Sequence, residues 1–269
     1  MEHRYLPDTD KLSVLAAIIL LAYGLARFVN FPSNEIAIQL PGIYLNYRFD
    51  ARTVVAFLVA GLTASGADWL LRQHPALQAR TTVEHWLLPA LTAWVIGFPL
   101  FQLPLGPGWW LGFALGGALL MLVLVAEYIT IDPDDIRHPV ATAGLTAVAF
   151  ALYLILAISI RSAGTRLFLI VPALTFAGGL VSLRTLHLRL HGRWAFVECG
   201  VITLLLGQIA AALYYMPLLP VPFGLVMLGF AYGLTSLMAN IAARESYRQA
   251  MIEPALILIV VLIAVIWLS

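Results

Sequence analysis

Long apolar runs separated by short polar connections constrain the fold of this chain more than any other feature. A helix that crosses the hydrocarbon core of a bilayer needs about 20 mostly apolar residues. Apolar residues make up 62% of the 269 residues and charged residues 11%, and a soluble domain of this length could not bury so much apolar surface. The sequence therefore predicts an all-α integral membrane protein with nine transmembrane helices, at 12–29, 53–71, 86–104, 109–129, 139–160, 166–184, 194–215, 222–243 and 254–269. Eight or ten crossings are the alternatives. The ninth run is the weakest of the nine, because it ends at the chain terminus.

The basic residues indicate the orientation of these helices. With nine crossings, the connections on the side of the N-terminus carry more lysine and arginine than those on the other side. Cytoplasmic loops have an excess of these residues, so we expect a cytoplasmic N-terminus and a C-terminus outside. The basic residues on the N-terminal side are Arg4, Lys11, Arg72, Arg80, Arg137, Arg184, Arg189, Arg193, Arg244 and Arg248.

Composition and motifs exclude several function classes. The formal net charge of +1 offers no basis for binding nucleic acid. The single cysteine, Cys199, excludes an intramolecular disulfide and any CxxC metal or redox motif. The chain has no HExxH, GxSxG or glycine-rich phosphate loop. These patterns predict no metal site and leave the cofactors unknown.

The first outer connection has the pattern of a short β-hairpin. Residues 35–40 and 43–49 alternate apolar and polar side chains around Pro41-Gly42, which is typical of two paired strands. We expect this hairpin on the outer face, where it could act as a lid or a docking edge. An amphipathic loop that lies on the lipid headgroups is the alternative.

Three short matches at one offset indicate an internal repeat. Each pair lies 117 residues apart, which is four helices, so the two halves would have the same orientation and form a parallel repeat. The sequence thus predicts one transmembrane domain with repeats at 12–129 and 139–243 and an extra helix at 254–269. The matching pairs are Ala60-Gly61 with Ala177-Gly178, LRQH at 71–74 with LRLH at 188–191, and GFALG at 112–116 with GFAYG at 229–233.

Polar side chains at the predicted inner ends of the helices are the candidates for function, because ionisable residues in membrane spans are costly. They could form a proton relay or metal site, or ion pairs such as Asp68 with Arg72 and Glu198 with Arg184. The stretch 182–199, predicted to be a cytoplasmic loop, could instead bind anionic lipid headgroups. The candidate cluster comprises Asp68, Arg72, His85, Glu127, Arg184, His187, His191 and Glu198.

Three further features leave alternatives open. Gln208, Ser236 and Asn240 lie deeper in the predicted helices and could line a cavity. The spacing Gly229xxxGly233 suits packing within the monomer or a homo-oligomer contact. Asp132-Pro-Asp-Asp135 could hold Mg²⁺ against a phosphate, although Asp-Pro is also an ordinary turn signal.

Two stretches in the first hundred residues carry a resemblance to a known group of proteins. LPGIYLNYRFDARTVVAFLVAGLTASGADWLLRQHP (40–75) and EHWLLPALTAWVIGFPL (84–100) resemble an uncharacterised family of bacterial polytopic membrane proteins. The resemblance implies a multi-pass protein of a bacterial inner membrane. It supplies no activity and no functional residues.

Two hypotheses follow for function. The first is a non-enzymatic scaffold or a carrier for a small or lipid-like molecule, which a cavity between the two halves would favour. The second is a membrane-embedded enzyme that acts on a lipid through the cytoplasmic-side carboxylates and histidines. Convergence of His85, His187, His191 and Glu198 within metal-binding distance would favour the enzyme. The partner expected in both cases is the lipid bilayer.

Overall fold

Long helices form almost all of the chain. The computed structural model describes residues 7–28, 34–40, 43–49, 51–77, 81–190, 192–244 and 246–268. Eight of the described helices, α2 to α9, are long and apolar enough to cross a membrane. The prediction of a chain built from long apolar helices is confirmed, and the crossing by α1 stays a prediction. The helices are α1 (Thr9–Phe28), α2 (Ala51–Leu71), α3 (Leu87–Gln102), α4 (Pro107–Ile129), α5 (His138–Ser162), α6 (Leu167–Arg189), α7 (Phe196–Tyr214), α8 (Pro220–Ala242) and α9 (Tyr247–Leu268).

Two strands lie between α1 and α2. β1 (Asn34–Leu40) and β2 (Ile43–Phe49) pair antiparallel, with Leu40 opposite Ile43 and Asn34 opposite Phe49. This pairing falls on the two segments whose alternating sequence pattern is typical of strands. The outer location of this ribbon stays a prediction.

The helices pack as two groups of four and a ninth. α1 packs on α2 and α4, and α3 packs on α2 and α4; in the same way α5 and α7 each pack on α6 and α8. The groups meet where α3 and α4 contact α5 and where α3 contacts α6, and α9 packs on α8. Short connections make successive helices antiparallel, so the bundle has two ends. We call them the Glu127 end, where α2, α4, α6 and α8 finish, and the Gln102 end, where α3, α5 and α7 finish.

The buried apolar side chains follow the same division. One cluster joins α1 to α4 and includes Ile19, Leu70 and Leu124. The other is centred on α5 to α8, includes Leu174 and Phe223, and extends to residues of α3. This second cluster also takes in Val123 of α4, so α3 and α4 both supply apolar side chains to the contact between the groups.

A reciprocal glycine–threonine contact brings α6 and α7 close together. A Cβ atom on Gly179 would lie 2.9 Å from Thr203 Oγ1, and one on Gly207 would lie 2.9 Å from Thr175 Oγ1. Each helix therefore offers a glycine where the other presents a threonine. Small residues at a membrane helix contact permit this approach, because the helices gain dispersion contacts that larger side chains would prevent.

Two helices extend further than their apolar runs predicted. α6 continues to Arg189, so most of the predicted loop at 182–199 is helical, and only residues 190–195 join α6 to α7. α9 begins at Tyr247 and contains Pro254. A hydropathy pattern predicts that a helix ends where charged residues begin. A helix can nevertheless continue past a charged residue whose side chain has a partner inside the bundle.

Candidate functional site

A buried ion pair joins α4 to α6 at the Glu127 end. Arg184 Nε donates to Glu127 Oε1 over 3.1 Å, and Arg184 Nη2 donates to Glu127 Oε2. The side chains of Glu127 and Arg184 are 0% and 2% exposed. Two parallel hydrogen bonds between planar groups are the strong form of this contact. Both charged groups are therefore shielded from solvent.

His85 completes what we call the buried triad, which consists of His85, Glu127 and Arg184. His85 lies in a 3₁₀ turn (Val83–His85) just before α3. Its Nδ1 lies 2.7 Å from Glu127 Oε2 and 3.2 Å from Arg184 Nη2. Because a guanidinium only donates, Nδ1 can bond to Glu127 when it carries a proton and to Arg184 when it does not. A proton on His85 therefore decides which partner the ring binds.

The triad spans the two groups of helices. Glu127 lies in the last turn of α4, and His85 precedes α3, so both come from the first group. Arg184 comes from α6 in the second group. The sequence predicted all three as members of one polar cluster. The structure brings all three together. Glu127 and Arg184 form the only fully desolvated charge pair that we find in the described part of the chain.

The expected pairing of Arg184 with Glu198 is wrong. Glu198 Oε1 instead accepts from Arg193 Nη2 over 3.3 Å, in the short connection between α6 and α7. The side chains of Arg193 and Glu198 are 54% and 30% exposed. Arg184 is buried on α6 and reaches Glu127 on α4, whereas Glu198 lies in the first turn of α7.

Asp68 and Arg72 form the pair expected from their spacing of four residues. Arg72 Nε donates to Asp68 Oδ2 over 2.7 Å, and Thr82 Oγ1 donates to the other carboxylate oxygen, Asp68 Oδ1. Trp86 Nε1 in turn donates to Thr82 Oγ1 over 3.1 Å. This chain of contacts fastens the end of α2 to the turn that carries His85.

His187 lies one turn beyond Arg184, on the same face of α6. Its side chain is buried, and its ring packs against Trp194 with 4.6 Å between the ring centroids. Among the described residues its Nδ1 has no hydrogen-bond partner. His191, the other histidine of the predicted pair, lies outside the described residues.

The predicted cavity residues divide among three environments. Gln208 is exposed on α7. Ser236 is buried on α8, where its Oγ donates to Glu253 Oε2 over 2.7 Å and accepts from Arg189 Nη1 over 3.1 Å. Asn240 Nδ2 donates to the backbone oxygen of Ala250 and lines a 510 Å³ cavity between α8 and α9.

The connection between α4 and α5 uses its carboxylates for local contacts. Asp132 Oδ1 accepts from the backbone N–H of Asp134, and Asp135 holds the Arg137 guanidinium with an oxygen 2.6 Å from Nη2. This hydrogen-bonded carboxylate raises the pKa of Arg137. Burial lowers the pKa of His74, against the opposing charges of Asp132 and Asp135. In the described ranges no three His, Cys, Asp or Glu side chains are grouped as a metal site would require.

An apolar cavity of 680 Å³ lies between the two groups of helices, towards the Gln102 end. α2 and α3 form one wall, and α6 with the end of α5 forms the other. The cavity is predominantly aromatic and aliphatic, and Gln102 and Thr165 supply its polar side chains. Its aromatic residues are Phe57, Trp94, Phe98, Phe101, Phe168 and Phe176.

Trp94 links the two walls of this cavity. Its ring centroid lies 5.7 Å from that of Phe57 on α2 and 6.1 Å from that of Phe176 on α6. Phe57 and Phe176 are each 55% exposed. Since both line the cavity and also face outward, the cavity opens sideways at the surface that these apolar helices present to lipid.

Sequence reasoning missed three parts of these sites. Glu253 precedes the predicted last helix, yet it lies in α9 and accepts from Tyr232 Oη over 2.6 Å. Arg189 was assigned to a loop, yet it donates to Tyr232 Oη and Ser236 Oγ. The aromatic cavity had a weak signal, a cluster of aromatic residues at 94–101 in the third run.

Comparison with known proteins gives a family and no activity. No curated protein and no solved structure matches the chain. Residues 31–268 match the family described as "Protein of unknown function (DUF5656)". This match covers more than half of the sequence and confirms the resemblance to an uncharacterised family. The chain therefore belongs to the DUF5656 family.

Proposed function

We propose that this protein is a membrane carrier for a lipid-like molecule, with its binding site in the aromatic cavity between the two groups of helices. The observation that carries the proposal is the position of that cavity. It lies between α2 and α3 of one group and α5 and α6 of the other, and a cavity at a repeat interface is the common arrangement in carriers. Its volume is within the range of small-molecule sites.

The buried triad gives this carrier a closed end. Glu127 and His85 belong to one group and Arg184 to the other, so the groups cannot separate at the Glu127 end without parting the two charges. Parting them in the absence of water is costly, because each charge would be left desolvated and unpaired. The described arrangement is thus a state closed at the Glu127 end, with the cavity open sideways near the Gln102 end. Transport would require water or ligand to replace the lost partners.

We infer that the two groups are a parallel repeat that moves around this cavity. The support is that helix contacts in the first group, α1–α2, α2–α3, α3–α4 and α1–α4, have counterparts α5–α6, α6–α7, α7–α8 and α5–α8 in the second. We propose a bacterial inner membrane, with the Glu127 end in the cytoplasm and its exposed arginines near anionic headgroups. The glycine spacing in α8 supports packing within the monomer and not a homo-oligomer, because a Cβ on Gly229 would lie 3.0 Å from Val261 and one on Gly233 would lie 3.7 Å from Leu258, both on α9.

The enzyme hypothesis has less support from the same residues. An acid–base catalyst must reach its substrate within hydrogen-bond distance, whereas the Glu127 side chain is fully buried and both its oxygens contact Arg184. His187 has a free Nδ1 among the described residues, but it is buried against Trp194. A scaffold without a ligand is the other alternative, and it would leave the cavity without a role.

Lipid movement in reconstituted vesicles tests the carrier proposal. Vesicles would carry tail-labelled fluorescent phosphatidylglycerol or phosphatidylethanolamine, and dithionite would quench the label in the outer leaflet. We expect faster loss of inner-leaflet signal with the protein than in protein-free vesicles. Ala173→Trp, which places a large ring in the cavity, should reduce the rate to the protein-free level. Rates equal to protein-free vesicles for both lipids would contradict carriage of lipid.

A matched variant separates cavity filling from general damage. Ala151 is exposed on α5 and does not line the cavity, so Ala151→Trp should keep the wild-type rate. Both variants would first be checked for a monodisperse elution profile. If Ala173→Trp does not fold, Phe57→Ala removes an exposed ring from the cavity wall instead, and we expect it to slow lipid movement. Unchanged rates in a folded cavity variant would place the transport path elsewhere.

A further inference from the structure

The polar residues around the aromatic cavity lie at one end of it. Gln102 is the last residue of α3, and its Nε2 donates to the backbone oxygen of Ser159 over 3.0 Å. Thr165 Oγ1 donates to the backbone oxygen of Ile160. Both side chains keep acceptor oxygens with further capacity, since an amide oxygen and a hydroxyl each have two lone pairs. The polar rim is therefore at the Gln102 end, and the rest of the cavity is apolar.

Two arginines, Arg161 and Arg166, lie near this rim. Arg166 follows Thr165 directly, is exposed, and forms no salt bridge in the part of the chain that the structure describes. Arg161, by contrast, donates to the backbone oxygens of Tyr214, Met216 and Leu218, so it already has partners. Of the connections at this end, those at 103–106, 163–166 and 215–219 contain no Asp or Glu, whereas the connection between α1 and α2 contains Glu35 and Asp50. Arg166 is thus a cation without a salt bridge to any described residue, and it directly follows the cavity-lining Thr165.

The depth of the cavity matches one leaflet of a bilayer. Gln102 and Trp94 are eight residues apart on α3, which corresponds to about 12 Å at the rise of an α-helix. Half of a hydrocarbon core about 30 Å thick is about 15 Å. A chain that enters beside Gln102 would therefore run past Phe98 and Phe101 and reach Trp94 near the middle of the membrane.

From this geometry we propose that the cavity binds an anionic phospholipid of the leaflet at the Gln102 end. The phosphate lies at Arg166, the glycerol oxygens and hydroxyls lie at Gln102 and Thr165, and one acyl chain lies between the aromatic rings with Trp94 at its inner limit. The sideways opening between Phe57 and Phe176 lets the second chain stay in the bilayer. This inference names the ligand of the proposed carrier, but it concerns binding and can be tested without transport.

Quenching of Trp94 by lipids brominated at mid-chain tests the proposal. The protein would be placed in nanodiscs that contain increasing fractions of brominated phosphatidylglycerol or brominated phosphatidylcholine, and the Trp94→Phe variant would identify the contribution of that residue. We expect half quenching of the Trp94 signal at a fraction of brominated phosphatidylglycerol about fivefold lower than the fraction of brominated phosphatidylcholine that has the same effect. This ratio is the preference for an anionic lipid that one arginine near the membrane surface supplies. Arg166→Gln should remove the preference. Arg248→Gln, an exposed arginine at the Glu127 end, should leave it unchanged.

Two results would overturn the inference. Quenching that is the same in wild type and Trp94→Phe would show that acyl chains do not enter the cavity. Equal quenching by the two lipids in the wild type would show that the site does not recognise the negative charge of the phosphatidylglycerol headgroup. Normal Trp94 quenching with no lipid movement in vesicles would reject the carrier and leave the lipid site standing, so the two proposals can fail separately.

Discussion

Replacing Arg184 with alanine is expected to lower the free energy of unfolding by about 3–5 kcal/mol, the largest effect that we predict for any single substitution. The reason is that the Glu127 carboxylate would stay buried without the guanidinium that neutralises it, and His85 alone cannot replace two charge-assisted hydrogen bonds. The measurement is equilibrium unfolding by denaturant in detergent, followed by helical circular dichroism. Glu127→Ala is expected to have a similar effect, because it strands Arg184.

Two variants provide the controls for this result. Arg193→Ala breaks the exposed pair with Glu198 and is expected to cost less than about 1 kcal/mol, because water replaces the lost contact. The double variant Glu127→Leu with Arg184→Met removes both charges and should recover most of the stability. A loss below about 1 kcal/mol for Arg184→Ala would show that water reaches the triad, and the closed end that we propose for the carrier would then be wrong.

Gly179→Leu is expected to lower the free energy of unfolding by about 1–3 kcal/mol, because it forces α6 and α7 apart. A Cβ atom at this position would lie 2.9 Å from Thr203 Oγ1. Thr203 cannot move away freely, since its hydroxyl donates to the backbone oxygen of Cys199 over 2.7 Å. Thermal unfolding in the same detergent, compared with wild type, measures the effect.

Gly200→Leu is the matched control for the α6–α7 contact. Gly200 lies in α7 with open space where a Cβ would be, and replacing a helical glycine there should raise stability by up to about 1 kcal/mol through helix propensity. Combining Gly179→Ala with Thr203→Ala should restore part of the loss from Gly179→Ala alone. If Gly179→Leu and Gly200→Leu behave alike, the close approach of α6 and α7 is not what stabilises this pair of helices.

Both predictions bear on how the two halves of the protein meet. The triad joins α4 and α6 across the division between the groups, whereas the glycine–threonine contact lies within the second group. A substitution in the triad should therefore alter lipid movement as well as stability, because it loosens the closed end. Gly179→Leu should mainly alter stability. Measuring both properties for both variants separates the contact between the groups from packing within one group.

Hydropathy alone located the helices, because a bilayer admits only segments whose apolar length matches its thickness. Every described helix from α2 to α9 overlaps one of the apolar runs. Local spacing also predicted the pair of Asp68 and Arg72, since residues four apart on a helix face each other. The polar character of one end of the bundle followed in the same way, because charges are costly within the hydrocarbon.

Contacts between distant residues depended on the tertiary structure. Arg184 was expected to bind Glu198, 14 residues away in sequence, but it binds Glu127, 57 residues away, because the packing of the two groups of helices brings α6 and the end of α4 together. Glu253 contacts Ser236 on α8 because α9 begins at Tyr247, before Pro254, and packs against α8.

By itself the sequence determined that this protein is a bundle of membrane-length helices with most of its charges at one end, since those properties depend on local composition and spacing. Only the tertiary structure decided which charges pair and where a ligand can lie. The cavity needs rings from α2, α3 and α6 to meet around Trp94, and the crossing of three helices is set by the packing of the whole bundle. No pattern within one helix contains that information.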